Sequence, residues 1–450
     1  MRRARVLKLD PAWVYAQLLR LHPAAATGPL SIAFSGGADS TALLALLAEV
    51  PAVRPRLRAL HIDHGLHAHS RSWARACRAH CRLLQVPLVA RRVTVVRAKG
   101  QSLEALARAA RYGALAAALR PGEVLLTAHH LEDQLETVLL QLLRGAGLPG
   151  LAAMPTVAPL GAGVLVRPLL GVSRAALQAV VQARGLRPIE DPSNADETLD
   201  RNYLRRQVLP ALAQRWPGAA RTVARSARHI AAAQNLLDTL ARADLARAAD
   251  GPALSVATLR GLPLERRRNV LRFWISQSGR AAPDAPRLEE IAVTLLAARV
   301  GANPVVRWGV TTVQRHAGLL TLDTVRTADA GYELPWNPHR TPRLTLPRGC
   351  GRLELRRTAH GLIDATTLPM QLSVRTRRGG ERLRPRSGGP SRTLKSLLQS
   401  EAISLIERQT MPLLFAGDEL VAAGDLWVDA RWQAGAQTAK RMRLIWHRPA

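Results

Sequence analysis

Short apolar runs alternate with stretches of helical periodicity through the first half of the chain. "LSIAF" at 30–34 reads as a strand and 41–50 as a helix, and "LRALHID" at 57–63 reads as a second strand. The next helix covers 72–84, with Trp73, Cys77, Cys81 and Leu84 at helical spacing, and "PLVARRVTV" makes a third strand. Ser102 is placed to cap the helix "LEALARAARYGALAAAL", with Glu104 in its first turn. "EVLLTA" and "EDQLETVLLQLL" then give a strand and a helix, and "GVLVRPLL" and "SRAALQAVVQARGL" repeat the order. Five such units imply βαβ crossovers. The expected fold class is α/β, a parallel sheet with helices on both faces. Ligands of such sheets bind beyond the carboxyl ends of the strands. Ser35–Ser40, His61-Ile62-Asp63-His64 and His129-His130 all fall at those ends.

The pattern changes after Pro210. Residues from about 219 to 296 are dense in Ala, Leu and Arg at helical periodicity, and short β-like pieces follow from about 305. Pro335, Pro338, Pro342 and Pro347 make 334–348 read as a linker. The expected organisation is a catalytic domain over 1–215, a helical substrate-binding domain over 216–333 and a small α+β domain over 349–450. Two or three domains are also what 450 residues lead one to expect.

Charge alters the picture more than composition does. Lys and Arg number 64 against 33 Asp and Glu, a formal net charge of +31. That excess calls for a polyanionic partner, either nucleic acid or an anionic membrane surface. Lysine occurs only as Lys8, Lys99, Lys395 and Lys440, and arginine is the residue suited to bidentate phosphate contact. A compositional bias of the source accounts for Arg in place of Lys, but not for the size of the excess. No apolar run approaches the ~20 residues of a membrane span. The N-terminus lacks the apolar core of a signal peptide. Cys77, Cys81 and Cys350 give no disulfide framework. The expectation is a soluble cytoplasmic protein. Cys77 and Cys81 flank His80 as either a metal half-site or two buried thiols, and both readings stay open.

The junction Ser35-Gly36-Gly37-Ala38-Asp39-Ser40 holds more small and hydroxyl-bearing residues than a strand-to-helix turn needs. It is neither G-x-x-x-x-G-K-[ST] nor G-x-G-x-x-G. Glycines let backbone N–H groups approach an anion at a helix N-terminus, and Ser35 and Ser40 add hydroxyl donors. An aspartate beside a phosphate is unfavourable unless a cation lies between them, so Asp39 points to Mg²⁺. A tight capped turn is the bland alternative.

S-G-G-x-D-S after the first strand resembles the pyrophosphate loop of the N-type ATP pyrophosphatases, and the other motifs narrow the likeness to the tRNA(Ile)-lysidine synthase family. "HIDHGLHAHS" is similar to that family's H-x-D-H-G-L-R stretch with His67 in place of arginine, and "LARAARYGAL" to its A-R-x-x-R-Y helix. "TAHHLEDQLETVLLQLLRGAGLPGLAAM" resembles the signature T-A-H-H-x-D-D-Q-x-E-T, with Glu132 replacing the first aspartate. "EDPSNADETLDRNYLRRQVLP" resembles D-P-[ST]-N…R-N-x-x-R, and "RRGGERLRP…RTLKSLLQ…ERQTMPLLFAGDELVAAGDLWV" the C-terminal tRNA-binding domain. The resemblance implies an ATP-dependent ligase. ATP adenylates C2–O of the wobble cytidine in the CAU anticodon of tRNA-Ile, releasing PPi. Free L-lysine then displaces AMP, and decoding moves from AUG to AUA.

Residue by residue, the likeness assigns Ser35, Gly36, Gly37, Ala38, Asp39, Ser40, Asp63, His64, Arg108 and Arg111 to ATP, with Asp39 holding Mg²⁺. Arg108 and Arg111 share a helix face at i, i+3 and suit phosphate or RNA backbone, though a solvated face explains them equally well. Asp133 and Glu136, again i, i+3, suit a lysine ammonium and its proton, and Asp133 near a helix N-terminus should stay ionised. The usual acidic first turn is the alternative. His129 and His130 contact substrate or merely orient the loop. Arg201, Asn202 and Arg205 match R-N-x-x-R, where an arginine either reaches the α-phosphate or grips the anticodon strand. Gly147, beside Gly145 and Gly150, either admits the flipped cytidine or serves the loop. Arg378, Arg382 and Lys395 belong to a basic, Gly/Pro-interspersed stretch suited to tRNA phosphates. Two rivals remain: a non-catalytic RNA binder with a relict loop, and another tRNA-modifying enzyme of the same ATPase class. The oligomeric state is open, with a homodimer one option.

Overall fold

The structure, a computed structural model, describes residues 9–63, 65, 70–95, 103–299, 302, 304–324, 331–347, 350–401, 403 and 405–448. His64, His67 and Ser102 lie outside the described residues, as does the side chain of Glu104. The chain divides into two units, Met1–Leu236 and Leu237–Ala450.

In the first unit, α1 (Pro11–Leu21) begins where the Asp10 carboxylate accepts from Trp13 N at 2.9 Å. Strand β1 (Leu30–Ala33) leads into α2 (Ala38–Ala48), and β2 (Leu57–Asp63) into α3 (Ser70–Leu83). Then follow β3 (Leu88–Arg92), α4 (Leu103–Ala118), β4 (Val124–Leu126) and α5 (Leu131–Leu143). After α6 (Leu148–Leu151), strands β5 (Val157–Leu160) and β6 (Gly163–Val166) form a hairpin before α7 (Arg174–Ala183). The sheet order is β3-β2-β1-β4-β6-β5. The expected parallel sheet is there, with one addition: β5 pairs antiparallel with β6. Pro155, Pro159 and Gly161 hide that strand in the sequence. Pro159 is accommodated because β5 is an edge, where one row of ladder groups goes unpaired. The opposite edge, β3, exposes Ala90, Arg91 and Arg92.

Helix α2 starts three residues earlier than its apolar run suggests, so Asp39 and Ser40 occupy its first turn with Gly37 as N-cap. Every residue from Ser40 to Ala48 is buried, as expected of a helix that is apolar on all faces. Leu43, Leu44, Leu46 and Leu47 are fully buried, each worth roughly 1.5–3 kcal/mol on transfer from water. This anchors the loop at its N-terminus against a rigid core. Order reverses between β1 and β4, whose neighbours run outward to β2–β3 and to β6–β5. Such a switch point opens a crevice at the strands' carboxyl ends.

Downstream, α8 (Asp200–Tyr203) continues through a π-helical turn, Leu204–Val208, into α9 (Leu209–Arg215), and α10 (Ala219–Ala248) follows. The second unit holds two separate cores. One packs helices Leu264–Gln277 and Ala285–Glu289 against an antiparallel sheet of five strands: Ala249–Asp250, Ala253–Ser255, Val305–Trp308, Thr311–His316 and Leu319–Thr324. The three strands from Val305 onward fall where short β-like pieces were expected, and only Ala249–Asp250 and Ala253–Ser255 add β structure inside the stretch expected to be helical. The other core is mainly β and spans Tyr332 to Trp446. The linker reading of 334–348 is overturned here. Glu333–Trp336 pairs as an edge strand with Leu372–Arg375, Arg343–Thr345 pairs with Arg352–Arg357, and Trp336 and Leu346 are buried. Edge pairing tolerates Pro335, and the remaining prolines fall between strands.

Candidate active site

A cavity of about 300 Å³ lies at the switch point, lined by the ends of β1, β2 and β4 and by α3 and α4. Of the predicted residues it brings together Ser35, Gly37, Asp39, Ser40, Asp63, Arg111, His129 and Asp133. Gly36, Ala38, Arg108, His130, Glu136, Gly147, Arg201, Asn202 and Arg205 do not line it.

The loop is built for an anion. The first intrahelical bond of α2 runs from Thr41 N to Gly37 O, so the N–H groups of Ala38, Asp39 and Ser40 precede the helical ladder. Ser35 Oγ and Ser40 Oγ lie 3.1 Å apart, and Ser40 Oγ donates to Gly37 O. Gly36 serves the turn: its φ is +84°, its carbonyl accepts from Ile189 N at 2.9 Å, and an added Cβ would collide with Ile189 Cδ1 and Cys77 Sγ. Asp39 Oδ1 is buried without a hydrogen-bond partner. Such an orphaned acceptor beside a phosphate-sized site suits Mg²⁺, which binds through one or two carboxylates plus substrate phosphates.

Opposite the loop, α5 presents its N-terminus. Asp133 Oδ2 accepts from His130 N at 3.0 Å, and its Oδ1 takes Arg205 Nη2 at 2.8 Å. Burial opposes charge on Asp133, but the protonated His130, its backbone N–H and Arg205 outweigh it, and the carboxyl is held below the usual range. Glu136, 1% exposed, goes the other way: burial raises it, although Arg205 and Arg201 lower it. Arg205 Nε donates to Glu136 Oε1, and Arg201 Nε lies 3.0 Å from Oε2 without hydrogen-bond alignment. The acidic pair expected to face an ammonium is thus gripped by two arginines, and only Asp133 reaches the cavity. Asn202 Nδ2 donates to Asp196 O, fixing the loop before α8.

The two histidines part company. Burial pushes His129 down to about 3, so it lines the cavity as a neutral ring, with Nδ1 2.8 Å from Thr127 Oγ1. Burial opposes charge on His130 too, but Asp39, Glu132 and Asp133 hold it up at about 10. Its Nε2 is 3.6 Å from both Asp39 Oδ2 and Asp133 Oδ2, and its Nδ1 is 3.0 Å from Glu132 Oε2. Glu132 Oε2 also accepts from Arg174 N at 2.9 Å, tying α5 to the start of α7. The longer glutamate therefore has a defined job in this chain.

The other candidate residues sort by position. Arg108 stacks over Tyr112, 5.2 Å from the ring centroid, and Tyr112 lines the cavity. Asp63 Oδ1 accepts from Gly65 N at 2.8 Å, with Arg92 Nε 3.8 Å from its Oδ2. Gly147 caps α6, where a Cβ would meet Pro149 Cδ at 3.9 Å in ordinary contact, Gly145 ends α5 at φ +67°, and a Cβ on Gly150 would strike Ala146 Cβ at 2.6 Å. Cys77 and Cys81 are buried, and burial pushes both thiols up to about 12. His80 turns to Ala76 O, and no cluster of three or more metal-ligating side chains occurs among the described residues. In the second unit Arg378 pairs with Glu333 at 2.7 Å, Arg382 donates to Ser391 O, and Lys395 is exposed. Trp73, Tyr112, Thr127 and Asp191 line the cavity without having been singled out from sequence. Tyr112, Thr127 and Asp191 sit inside quoted motifs, which is the signal that could have found them.

With this geometry in place, comparison with known proteins is specific. Family models match as the PP-loop domain at residues 14–212, the TilS substrate binding domain at 254–321 and the TilS substrate C-terminal domain at 372–446. A tRNA(Ile)-lysidine synthase of Coxiella burnetii is 41% identical over 393 residues, 87% of each chain. That of Alkalilimnicola ehrlichii is 42% identical over 418 residues, 91% of this chain and 93% of the relative. That of Pseudomonas aeruginosa is 42% identical over 450 residues, 96% of each.

Proposed function

This chain belongs to the tRNA(Ile)-lysidine synthase family, and on that premise we propose how its residues divide the work. It is an ATP-dependent ligase that forms a carbon–nitrogen bond on tRNA. The observation that carries the reading is a single cavity joining the anion loop to an ionised Asp133 and a neutral His129.

C2–O of cytosine leaves poorly. In the first step it attacks the α-phosphorus of ATP, the new C2–O–P linkage forms and PPi departs. N–H groups at the start of α2, with the hydroxyls of Ser35 and Ser40, hold the phosphates in that step. Mg²⁺ held by Asp39 would supply phosphate charge neutralisation. In the second step the lysine ε-ammonium passes a proton to the Asp133 carboxylate, the freed nitrogen pair bonds to C2, AMP leaves with the electrons of the broken C–O bond, and the nitrogen's next proton goes to water. Asp133 holds the incoming ammonium in the cavity, and the neutral His129 offers it a further acceptor. Arg205 and Arg201 keep Asp133 and Glu136 in place from behind. The basic stretch Arg378, Arg382 and Lys395 takes tRNA phosphates. Lysine as the amine, the CAU anticodon as target and a cytoplasmic setting belong to this proposal.

The test is PPi release from ATP with and without CAU-anticodon tRNA and free lysine. Release that depends on the RNA, with lysine incorporated, is the expected result. Release indifferent to the RNA would sink the lysidine reading. Asp39→Ala should abolish PPi release and leave tRNA affinity within about twofold.

A further inference from the structure

A second cavity, of about 1050 Å³, opens in the same unit on another face of the first turn of α5. Leu131 and Gln134 line it, whereas Asp133 lines the active site. Gln134 is fixed at both ends, donating to Met154 O at 2.8 Å and accepting from Met154 N at 2.9 Å, so the shared wall is rigid. An α-helix is about 10 Å across. The two cavities are therefore close enough for adjoining parts of one ligand.

The lining combines two chemistries. Trp13 and Met154 contribute flat or deformable apolar surface. The rim is cationic: Arg221, Arg225 and Arg228 on α10 share one face at i, i+4, i+7 and are exposed. None of the three pairs with a carboxylate among the described residues. Arg167, directly after β6, extends the positive charge to the floor. It is 6% exposed, donates through Nη1 to Pro155 O at 2.7 Å, and its Nε has no hydrogen-bond partner. A row of uncompensated guanidiniums over an aromatic and apolar wall fits phosphates along the ridge and an unstacked base beneath it.

We infer that this groove seats the single-stranded RNA adjoining the base that enters the active site. The inference rests on the lysidine reading for the identity of that RNA. The like-charged rim disfavours a second copy of this +31 chain as the occupant.

The test uses the full chain with Arg221, Arg225 and Arg228 all changed to alanine, and a CAU tRNA carrying a photoreactive nucleotide beside the wobble position. In the wild type that nucleotide should crosslink to peptides containing Trp13 or Met154. In the triple variant KM for tRNA should rise about tenfold or more. Its dependence on log salt should flatten by about two, from some 0.7 per single-strand phosphate contact. ATP affinity measured without RNA should be retained, which reports an intact fold. Unchanged KM and salt slope, or crosslinks only elsewhere, would overturn the inference. So would loss of self-association with tRNA KM unchanged. If wild-type protein released no RNA-dependent PPi, the enzymatic reading would fail, while the crosslinks to Trp13 or Met154 peptides, and their loss in the triple variant, would still decide the groove.

Discussion

Replacing Arg205 with alanine removes the guanidinium that serves both Asp133 and Glu136. Asp133 keeps His130 as a charged neighbour, so the deficit falls on Glu136, 1% exposed and left only with the poorly aligned Arg201. Breaking a buried ion pair from one side costs roughly 3–5 kcal/mol if the surviving charge persists. Glu136 has a cheaper route, which is to bind a proton. Its unfolded carboxyl titrates near 4.5, so folding it neutral at pH 7 costs about 3 kcal/mol at 1.36 kcal/mol per unit. The smaller figure caps the loss. At pH 5.5 the same route costs only about 1.4 kcal/mol. The sign follows from proton binding: the folded carboxyl titrates above the unfolded one, so the native variant holds more protons above pH 4.5, and its stability falls as pH rises. Urea titrations read by hydrogen exchange in peptides from Leu131–Leu143 isolate this unit from residues 237–450. A deficit of about 2–3 kcal/mol at pH 7, shrinking to about 1 at pH 5.5, is expected. An equal deficit at both pH values would refute the protonation argument, and no deficit at either would refute the clamp.

Two further outcomes are open to quick measurement. Gly36→Ala should lose most ATP-dependent activity and at least about 1 kcal/mol of stability, since φ is +84° and the Cβ meets Ile189 and Cys77; Gly37→Ala meets only Ser35 Oγ at 3.5 Å and should fold normally. Normal melting and turnover of the Gly36 variant would show that the turn is not confined as described. Native protein at pH 8 should resist iodoacetamide at Cys77 and Cys81, whose thiols burial holds near 12, and should react fully after denaturation. Mass spectrometry showing alkylation within minutes in the native state would contradict their burial.

The central strands and the anion loop were legible because their signals are local: four-to-seven-residue apolar runs, then Gly36 and Gly37 opening an apolar helix. What stayed hidden is what topology supplies. Nothing near Asp133 announces that Arg205, 72 residues on, will pair with it. The reading of Asp133 and Glu136 as an open ammonium site missed the guanidiniums that already hold them. Glu132 looked like a departure from pattern, yet it bridges His130 and the backbone of Arg174, 42 residues away. The prolines that suggested a linker at 334–348 sit on or between strands, because propensity is overridden wherever an edge can absorb a missing donor. Arg167 gave no sign at all: a lone arginine in an apolar run becomes informative only once its burial and orphaned Nε are seen.

Both borders of the six-stranded sheet refuse a further strand. On one side Pro159 leaves a gap in the row of donors, and on the other Arg91 and Arg92 would set charge against charge if two such borders met. Polymerisation by border-to-border stacking of this sheet is therefore disfavoured at the high local concentrations that a polyanion imposes on so cationic a chain. Any self-association has to use other surfaces.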